Sequence, residues 1–308
     1  MKLDGIHHIT CITGDAATTV EFYARVLGLR LAKRTVNQDD PSVWHLFFTD
    51  EAGTPGSDLT FFEYPQARRG TVGAGMVHRI RYRVASDASL DWWEERLRAE
   101  RTPTSRTETG NLRFSDPNGL MLELTVAPDG LPDAPLRARS SVVPEEHALL
   151  GFDGVDALVA EVAPSARVVT ELLGFTDLGD DTYESRGPRR GGTIRFEETD
   201  RRGFGGAGTV HHIAFSAETD EIGDWATEVA RSGAHGTNVV DRFWFRSVYF
   251  REPNGILYEL ATQGPGFTVD EPLETLGDHL VLPPRFEPAR AQIEPLLTVL
   301  PDTSAWRS

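Results

Sequence analysis

The sequence is poor in several things, and each scarcity narrows the reading. A single cysteine, Cys11, occurs in 308 residues. That excludes an intrachain disulfide framework and a multi-cysteine zinc site. There is no run of about 18 apolar residues, so no spanning helix is expected. The opening MKLDGIHHITC lacks the apolar stretch of a signal peptide and runs straight into patterned sequence. Positive charge is in deficit, with 31 Lys and Arg against 47 Asp and Glu, a formal charge of −16. Such a chain repels polyanions, so neither nucleic acid nor membrane is an expected partner. These absences together predict a soluble, cytoplasmic protein. What is present is ordinary for a globular chain: 39% hydrophobic and 25% charged residues, with mean hydropathy −0.32. At about 150 residues per domain the length suggests two domains.

Self-similarity is the strongest pattern. Residues 76–125 run VHRIRYRV, SLDWWEERLRAERTP, NLRFSDPNGLMLELTV; residues 209–262 run VHHIAFSA, EIGDWATEVARSGAH, SVYFREPNGILYELAT. Asp116-Pro117-Asn118-Gly119 matches Glu252-Pro253-Asn254-Gly255, and Pro followed by Asn-Gly is turn chemistry between apolar strands. Residues 6–31 and 154–175 share the opening half, an alternating strand and then a helix stopped at Leu27-Gly28 or Leu173-Gly174. The chain therefore reads as four βαβββ units over 5–65, 76–128, 150–198 and 208–262, an α+β architecture. The Pro- and Ala-rich stretch 127–144 reads as a linker between pairs of units. This predicts an N-terminal pair over 1–135, a C-terminal pair over 145–265 and an extension over 266–308 packed on the body. Residues 177–206, rich in Gly, Arg and Asp, are expected to include a mobile loop. Base rates of symmetry make a homo-oligomer the default assembly.

Two histidine pairs, His7-His8 and His211-His212, fall in the opening strands of units one and four. Alternation lets only one member of each pair face a given site. A lone strand histidine is usually a hydrogen-bonded core residue, but recurrence at the same place in two units weakens that reading. Glu259 lies inside the apolar run ILYELAT, where an unpaired charge costs several kcal/mol; it needs a cation or a metal. Two imidazoles and a carboxylate make a facial triad that leaves positions open, which suits iron(II) or manganese(II) better than structural zinc. Glu123 aligns with Glu259, but its unit has Arg79 where unit four has His212, so units two and three are expected to form a companion cleft in which a base neutralises Glu123. In unit one, either Thr60 or Glu63 falls at the place of Glu259, and Thr60 is favoured.

The HHIT opening, the HHIAF strand, YFREPNGILYEL, and the later GPGFTVDEP and LPPRFEP segments resemble the vicinal oxygen chelate superfamily. Over essentially the full length the chain resembles its ring-cleaving branch, the hydroquinone- and chlorohydroquinone-type 1,2-dioxygenases. The resemblance implies the paired-module glyoxalase/dioxygenase fold. It implies His8, His212 and Glu259 as Fe(II) ligands, with Mn(II) as the other candidate metal. It makes His7 and His211 near-site residues, Thr10 a neighbour on the His8 strand face, and Tyr249 and Arg242 substrate-facing groups. The implied activity is extradiol-type opening of a dihydroxylated aromatic ring, hydroquinone or catechol in type, with O2. His211 and Tyr249 would handle protons, Arg242 would hold a second hydroxyl or a developing charge, and His7 and Thr10 would orient the ligands. The alternative is a non-redox glyoxalase-like isomerase or lyase, or a thiol transferase, in which a second carboxylate serves as base. Thr60 in place of that carboxylate argues against it, and Glu63 there would revive it. A sequestration protein is a third reading. His45, His78, His147, His235 and His279 carry no partner spacing.

Overall fold

All four units fold as strand, helix and three strands in a computed structural model of the chain, which describes residues 1–307. The first contains β1 (Ile6–Thr13), α1 (Ala16–Val20), β2 (Arg30–Asn37), β3 (Asp40–Thr49) and β4 (Asp58–Glu63). The second contains β5 (Met76–Val84), α2 (Asp87–Ala99), β6 (Thr104–Arg106), β7 (Leu112–Ser115) and β8 (Met121–Val126). The third contains β9 (Phe152–Val159), α3 (Val162–Arg167), β10 (Thr176–Gly179), β11 (Thr182–Arg186) and β12 (Gly191–Glu198). The fourth contains β13 (Thr209–Ala217), α4 (Ile222–Arg231), β14 (Val240–Asp241), β15 (Arg246–Arg251) and β16 (Leu257–Thr262). Local chemistry explains the boundaries. Asp15 caps α1 by accepting from Thr18 N. After one further π-helical turn the chain reverses at Gly28, φ +71°, and Gly174 repeats this at the same φ in unit three.

Strand pairing corrects the expected domain organisation. One eight-stranded sheet runs β14-β15-β16-β13-β1-β4-β3-β2 and the other β10-β11-β12-β9-β5-β8-β7-β6. Unit one therefore shares a sheet with unit four, and unit two with unit three, so the halves 1–135 and 145–265 are each divided between the sheets. The cause is the antiparallel pairing of opening strands, β1 on β13 and β5 on β9. The connections 64–75 and 199–208 must then cross between sheets, and they bridge one another at Arg69–Ala207, Thr71–Phe204 and Ala74–Arg202.

The segment 177–206, expected to include a mobile loop, contains most of β10 and all of β11 and β12. Its apolar residues Tyr183, Ile194 and Phe196 are buried, while Asp180 and Asp181 sit in the turn with φ +49° and +54°. The C-terminal extension packs on β2. Arg30 and Lys33 there are fully buried, and the extension supplies their partners: Leu273 O to Arg30 at 2.6 Å, Asp270 Oδ1 to Lys33 at 2.8 Å, and Glu271. Buried cations require such partners. Among the described residues no helix is long and apolar enough to cross a membrane.

Candidate metal centre

Two β-bulges build the centre. Along β1 and β13, Ile6 faces Phe215 and His8 faces Ala214, so His7 is one residue too many on its strand. Further on, Thr10 faces His212 and Cys11 faces Val210, so His211 is the extra residue on the partner strand. A bulge breaks strict alternation. The first histidine of each pair therefore stays beside the second, with Nδ1–Nδ1 distances of 2.9 Å for His7–His8 and 2.8 Å for His211–His212. Register also decides between Thr60 and Glu63. Glu259 pairs with Ala214, two residues after His212, and Thr60 pairs with Thr10, two residues after His8. Thr60 thus occupies the place equivalent to Glu259. Glu63 points elsewhere, accepting from Ala16 N and Thr298 Oγ1.

Three donor atoms converge. His8 Nε2 and His212 Nε2 lie 3.2 Å apart, and Glu259 Oε2 is 3.2 Å from the first and 2.9 Å from the second. All three residues are buried. Glu259 Oε1 accepts from Ser247 Oγ, whereas Oε2 has no hydrogen-bond partner among the described residues. A buried, orphaned carboxylate oxygen facing two imidazole nitrogens fits a divalent cation, as does the donor set. Burial opposes the charged form of Glu259, yet the two imidazoles hold its carboxyl well below the ordinary range. His7 fixes one ligand's tautomer. Its Nε2 lies 3.1 Å from Thr262 O, which can only accept. The proton is therefore on Nε2, His7 Nδ1 accepts from His8 Nδ1–H, and His8 Nε2 is left as a lone pair for a metal. Burial lowers the His7 pKa to about 3, so the ring stays neutral.

Beside the triad lies a cavity of about 290 Å³, walled by Phe47, Phe62, Trp244, Phe245 and Leu257, with His45, His211, Arg242 and Tyr249 among its polar groups and Asn37, Gln38, Asp39 and Tyr64 beside them. The structure brings His7, His8, His211, His212, Tyr249, Arg242 and Glu259 together at or beside this cavity, but two of the expected residues, Thr10 and Arg242, are engaged unexpectedly. Thr10 shares the His8 face, yet its hydroxyl accepts from Thr60 Oγ1 at 2.8 Å instead of holding a ligand. Arg242 is not a free cation. Its Nη atoms lie 3.1 and 3.0 Å from the Asp39 carboxylate, and its Nε donates to Tyr249 Oη at 3.2 Å.

Sequence reasoning missed His45, Ser247 and Asp39. His45 Nε2 lies 3.0 Å from Thr60 Oγ1, whose own proton is committed to Thr10. The His45 proton is therefore on Nε2, and Nδ1 is an acceptor. Burial holds this imidazole well below its ordinary pKa, so it is neutral. Its place appears only in the register, where His45 pairs with Phe62 and stands two residues from Phe47, which faces Thr60.

The companion sheet shows what the same scaffold does without a metal triad. Glu123 meets Arg79 at 3.3 Å and Arg113 at 2.6 Å, and Asn111 Nδ2 donates to it at 2.7 Å. Asp156, pairing with Arg79 across the strands, is held by Arg79, Arg81 and Arg195. His78, Asp156 and Glu197 also cluster, but these three guanidinium groups already occupy the Asp156 carboxylate.

The chain is similar to known proteins over nearly its full length. The family model of the Glyoxalase/Bleomycin resistance protein/Dioxygenase superfamily matches residues 5–124. "Putative ring-cleaving dioxygenase MhqA" of Bacillus subtilis is 38% identical over 96% of this chain and 98% of its own. The chain belongs to this superfamily. Within it, "Chlorohydroquinone/hydroquinone 1,2-dioxygenase" of Sphingobium indicum is 31% identical over 95% of each chain. The crystal structure of a "putative dioxygenase" from Bacillus subtilis superposes with TM-score 0.90 at 40% identity, covering 97% of this chain and 98% of that one. Glyoxalase I from Zea mays shares the fold, with TM-score 0.60 at 14% identity over 89% of this chain and 97% of its own. The relatives support a ring-cleaving dioxygenase.

Proposed function

We propose that the protein is an Fe(II)-dependent dioxygenase that opens a single dihydroxylated aromatic ring, a hydroquinone before a catechol, incorporating both atoms of O2. The observation that carries this is the triad of His8, His212 and Glu259 with an aromatic cavity beside it and Thr60, not a carboxylate, at the fourth place. With three protein donors, positions remain for substrate. With no carboxylate opposite Glu259, the base used in isomerase or lyase chemistry is missing. The chemistry iron(II) supplies when bound here is acidification of a coordinated phenol and activation of dioxygen.

The chain's own groups divide the remaining work. The aromatic wall excludes water and stacks on one ring. His45 Nδ1, neutral and unprotonated, accepts a hydroxyl proton from the substrate. Tyr249 remains a phenol, because burial and then the charge of Glu259 push its pKa well above the ordinary value. Its oxygen already accepts from Arg242 Nε, so its proton is free to be donated to an oxygen developing negative charge. Arg242 stays charged and lies 5.2 Å over the Tyr249 ring, reinforcing that donation. His211 takes its Nδ1 hydrogen bond from His212, which places its own proton on Nε2 as a second donor at the cavity. Desolvation and then the neighbouring His212 lower the His211 pKa to about 4 although the residue keeps an exposed edge, so it acts as a neutral ring near neutral pH.

The test is anaerobic loading with Fe(II) followed by a panel of hydroquinones and catechols, with oxygen uptake and aromatic absorbance followed together. One-to-one loss of oxygen and ring absorbance, with a hydroquinone preferred, is expected. No uptake at full iron occupancy would refute the reading and move the non-redox isomerase or lyase to first place.

A further inference from the structure

The cavity beside the triad is larger than one ring. At about 290 Å³ it has more than twice the volume of a single substituted benzene, so a diol bound at the centre leaves space unfilled. Strand geometry shows where that space lies. On β4, Thr60, Phe62 and Tyr64 alternate onto one face, and Tyr64 N donates to Thr13 O at 2.9 Å, which carries the pairing with β1 one residue past the strand end. Thr60 stands at the place equivalent to Glu259, beside the ligands. Four residues at about 3.3 Å each set Tyr64 roughly 13 Å further along the strand. Tyr64 therefore closes the end of the cavity remote from the centre, together with Asn37, Gln38 and Asp39 of the β2–β3 hairpin.

That end is polar where the middle is aromatic, and its hydrogen bonds leave one donor over. Gln38 Nε2 donates to Arg242 O at 2.7 Å, and Gln38 Oε1 accepts from Arg285 Nη2 at 3.0 Å. The Asp39 carboxylate is held by Arg242. Asn37 Oδ1 accepts from Asp39 N at 2.9 Å, and Asn37 Nδ2 donates to Tyr64 Oη at 3.2 Å. The Tyr64 hydroxyl thus receives a hydrogen bond, but its own proton meets no acceptor among the described residues. Burial, and then the carboxylates of Asp40 and Asp39, raise the Tyr64 pKa, so the hydroxyl stays a donor. The same carboxylates oppose a negative charge placed beside it.

We propose that Tyr64, positioned by Asn37, is a specificity-determining residue whose hydroxyl donates to an uncharged oxygen acceptor, such as an ether oxygen, on a substituent of the diol ring. The inference rests on the dioxygenase reading above and narrows its substrate class to a hydroquinone bearing an oxygen-containing side group. An alkyl substituent of the same size would fill the space but leave the hydroxyl unpaired. The difference expected from one hydrogen bond between uncharged groups is about 3- to 10-fold in affinity.

The test is anaerobic calorimetry on the Fe(II)-loaded protein. Methoxyhydroquinone would be compared with ethylhydroquinone, and methoxymethylhydroquinone with propylhydroquinone, each ether against its carbon isostere. Although the alkyl groups are more apolar, at least one ether should bind about 3- to 10-fold more tightly than its isostere, and Tyr64→Phe should abolish that preference. Gentisate, the carboxylated hydroquinone, should bind more weakly than the preferred ether. Absence of any ether preference in the wild-type protein would overturn the subsite, and this comparison stands even where Tyr64→Phe does not fold. A preference unchanged in folded Tyr64→Phe, or tightest binding by gentisate, would overturn it as well. Oxygen uptake with unsubstituted hydroquinone, measured alongside, separates the two readings. Uptake without an ether preference sinks the subsite alone, whereas no uptake at full iron occupancy overturns the dioxygenase reading and this inference with it.

Discussion

Ser247→Ala probes the geometry of the metal centre without touching a ligand. Ser247 is fully buried and donates to Glu259 Oε1, the oxygen turned away from the two imidazoles. That bond fixes which carboxylate oxygen faces His8 and His212. A hydrogen bond to a charged group contributes about 1.5–3 kcal/mol, and about 1.4 kcal/mol corresponds to tenfold in affinity. Loss of the hydroxyl should therefore weaken metal binding about 10- to 100-fold, the range expected when a group supporting a ligand is removed. The space vacated is one oxygen atom, too small to admit a water in its place. The assay is competition between the protein and a chelator for cobalt(II) or anaerobic iron(II), with Ser247→Thr as the variant that keeps the hydroxyl. Affinity within twofold of wild type for Ser247→Ala would show that Glu259 does not need this bond, and the argument from the orphaned Oε2 would fail.

The two members of a histidine pair should separate cleanly: His8→Ala should lose the metal, whereas His7→Ala should keep one ion per chain at about 10- to 100-fold lower affinity, as read by metal analysis and titration. If His7→Ala loses the ion and His8→Ala keeps it, the ligand assignment is wrong. In the companion sheet, Asp156→Ala leaves the buried Arg79 guanidinium without its strongest partner and should cost about 3–5 kcal/mol in urea unfolding, with metal stoichiometry unchanged; a parallel loss of metal would mean that this cluster binds it. Burial raises the Asp116 pKa from 3.8 to about 6. Between those values the folded chain holds a proton that the unfolded chain has released, so this contribution to stability is fully present below the unfolded pKa and declines as pH rises through the folded one. Two units correspond to about 3 kcal/mol, so the stability difference between wild type and Asp116→Asn should change by that order between acid and neutral pH, and a flat difference would contradict the shift.

Much of the fold was legible because the repeat is local. Alternating apolar strands, Leu-Gly helix stops and the two Pro-Asn-Gly turns each act within a few residues, and all four units form where their patterns lie. The pairing of units was legible only through the site: joining His8 to His212 and Glu259 set unit one beside unit four and left units two and three as the companion cleft, whereas the division into halves 1–135 and 145–265 did not follow it. Nothing in the alternation of β1 says whether its free edge meets β5 or β13, and that choice, made by long-range backbone pairing, determines whether His8 ever approaches His212. The bulges were hidden for a related reason. A strict two-residue period places His7 opposite His8, and only the register against β13 reveals the extra residue. His45 and Ser247 carry no spacing signal at all. Each is one polar residue on an apolar strand, and its importance appears only once Thr60 and Glu259 are across from it. Arg242 lines the cavity, but its partner Asp39 comes from a hairpin 203 positions away, beyond any local pattern.

The most direct test of the central claim is isotopic. The Fe(II)-loaded protein would turn over its preferred hydroquinone under 18O2, with the ring-opened product trapped by reduction and analysed by mass spectrometry. Both atoms of one dioxygen molecule in the product, with the ring carbons all retained, is the predicted result. A product with an intact ring, or one carrying no label from dioxygen, would contradict the account.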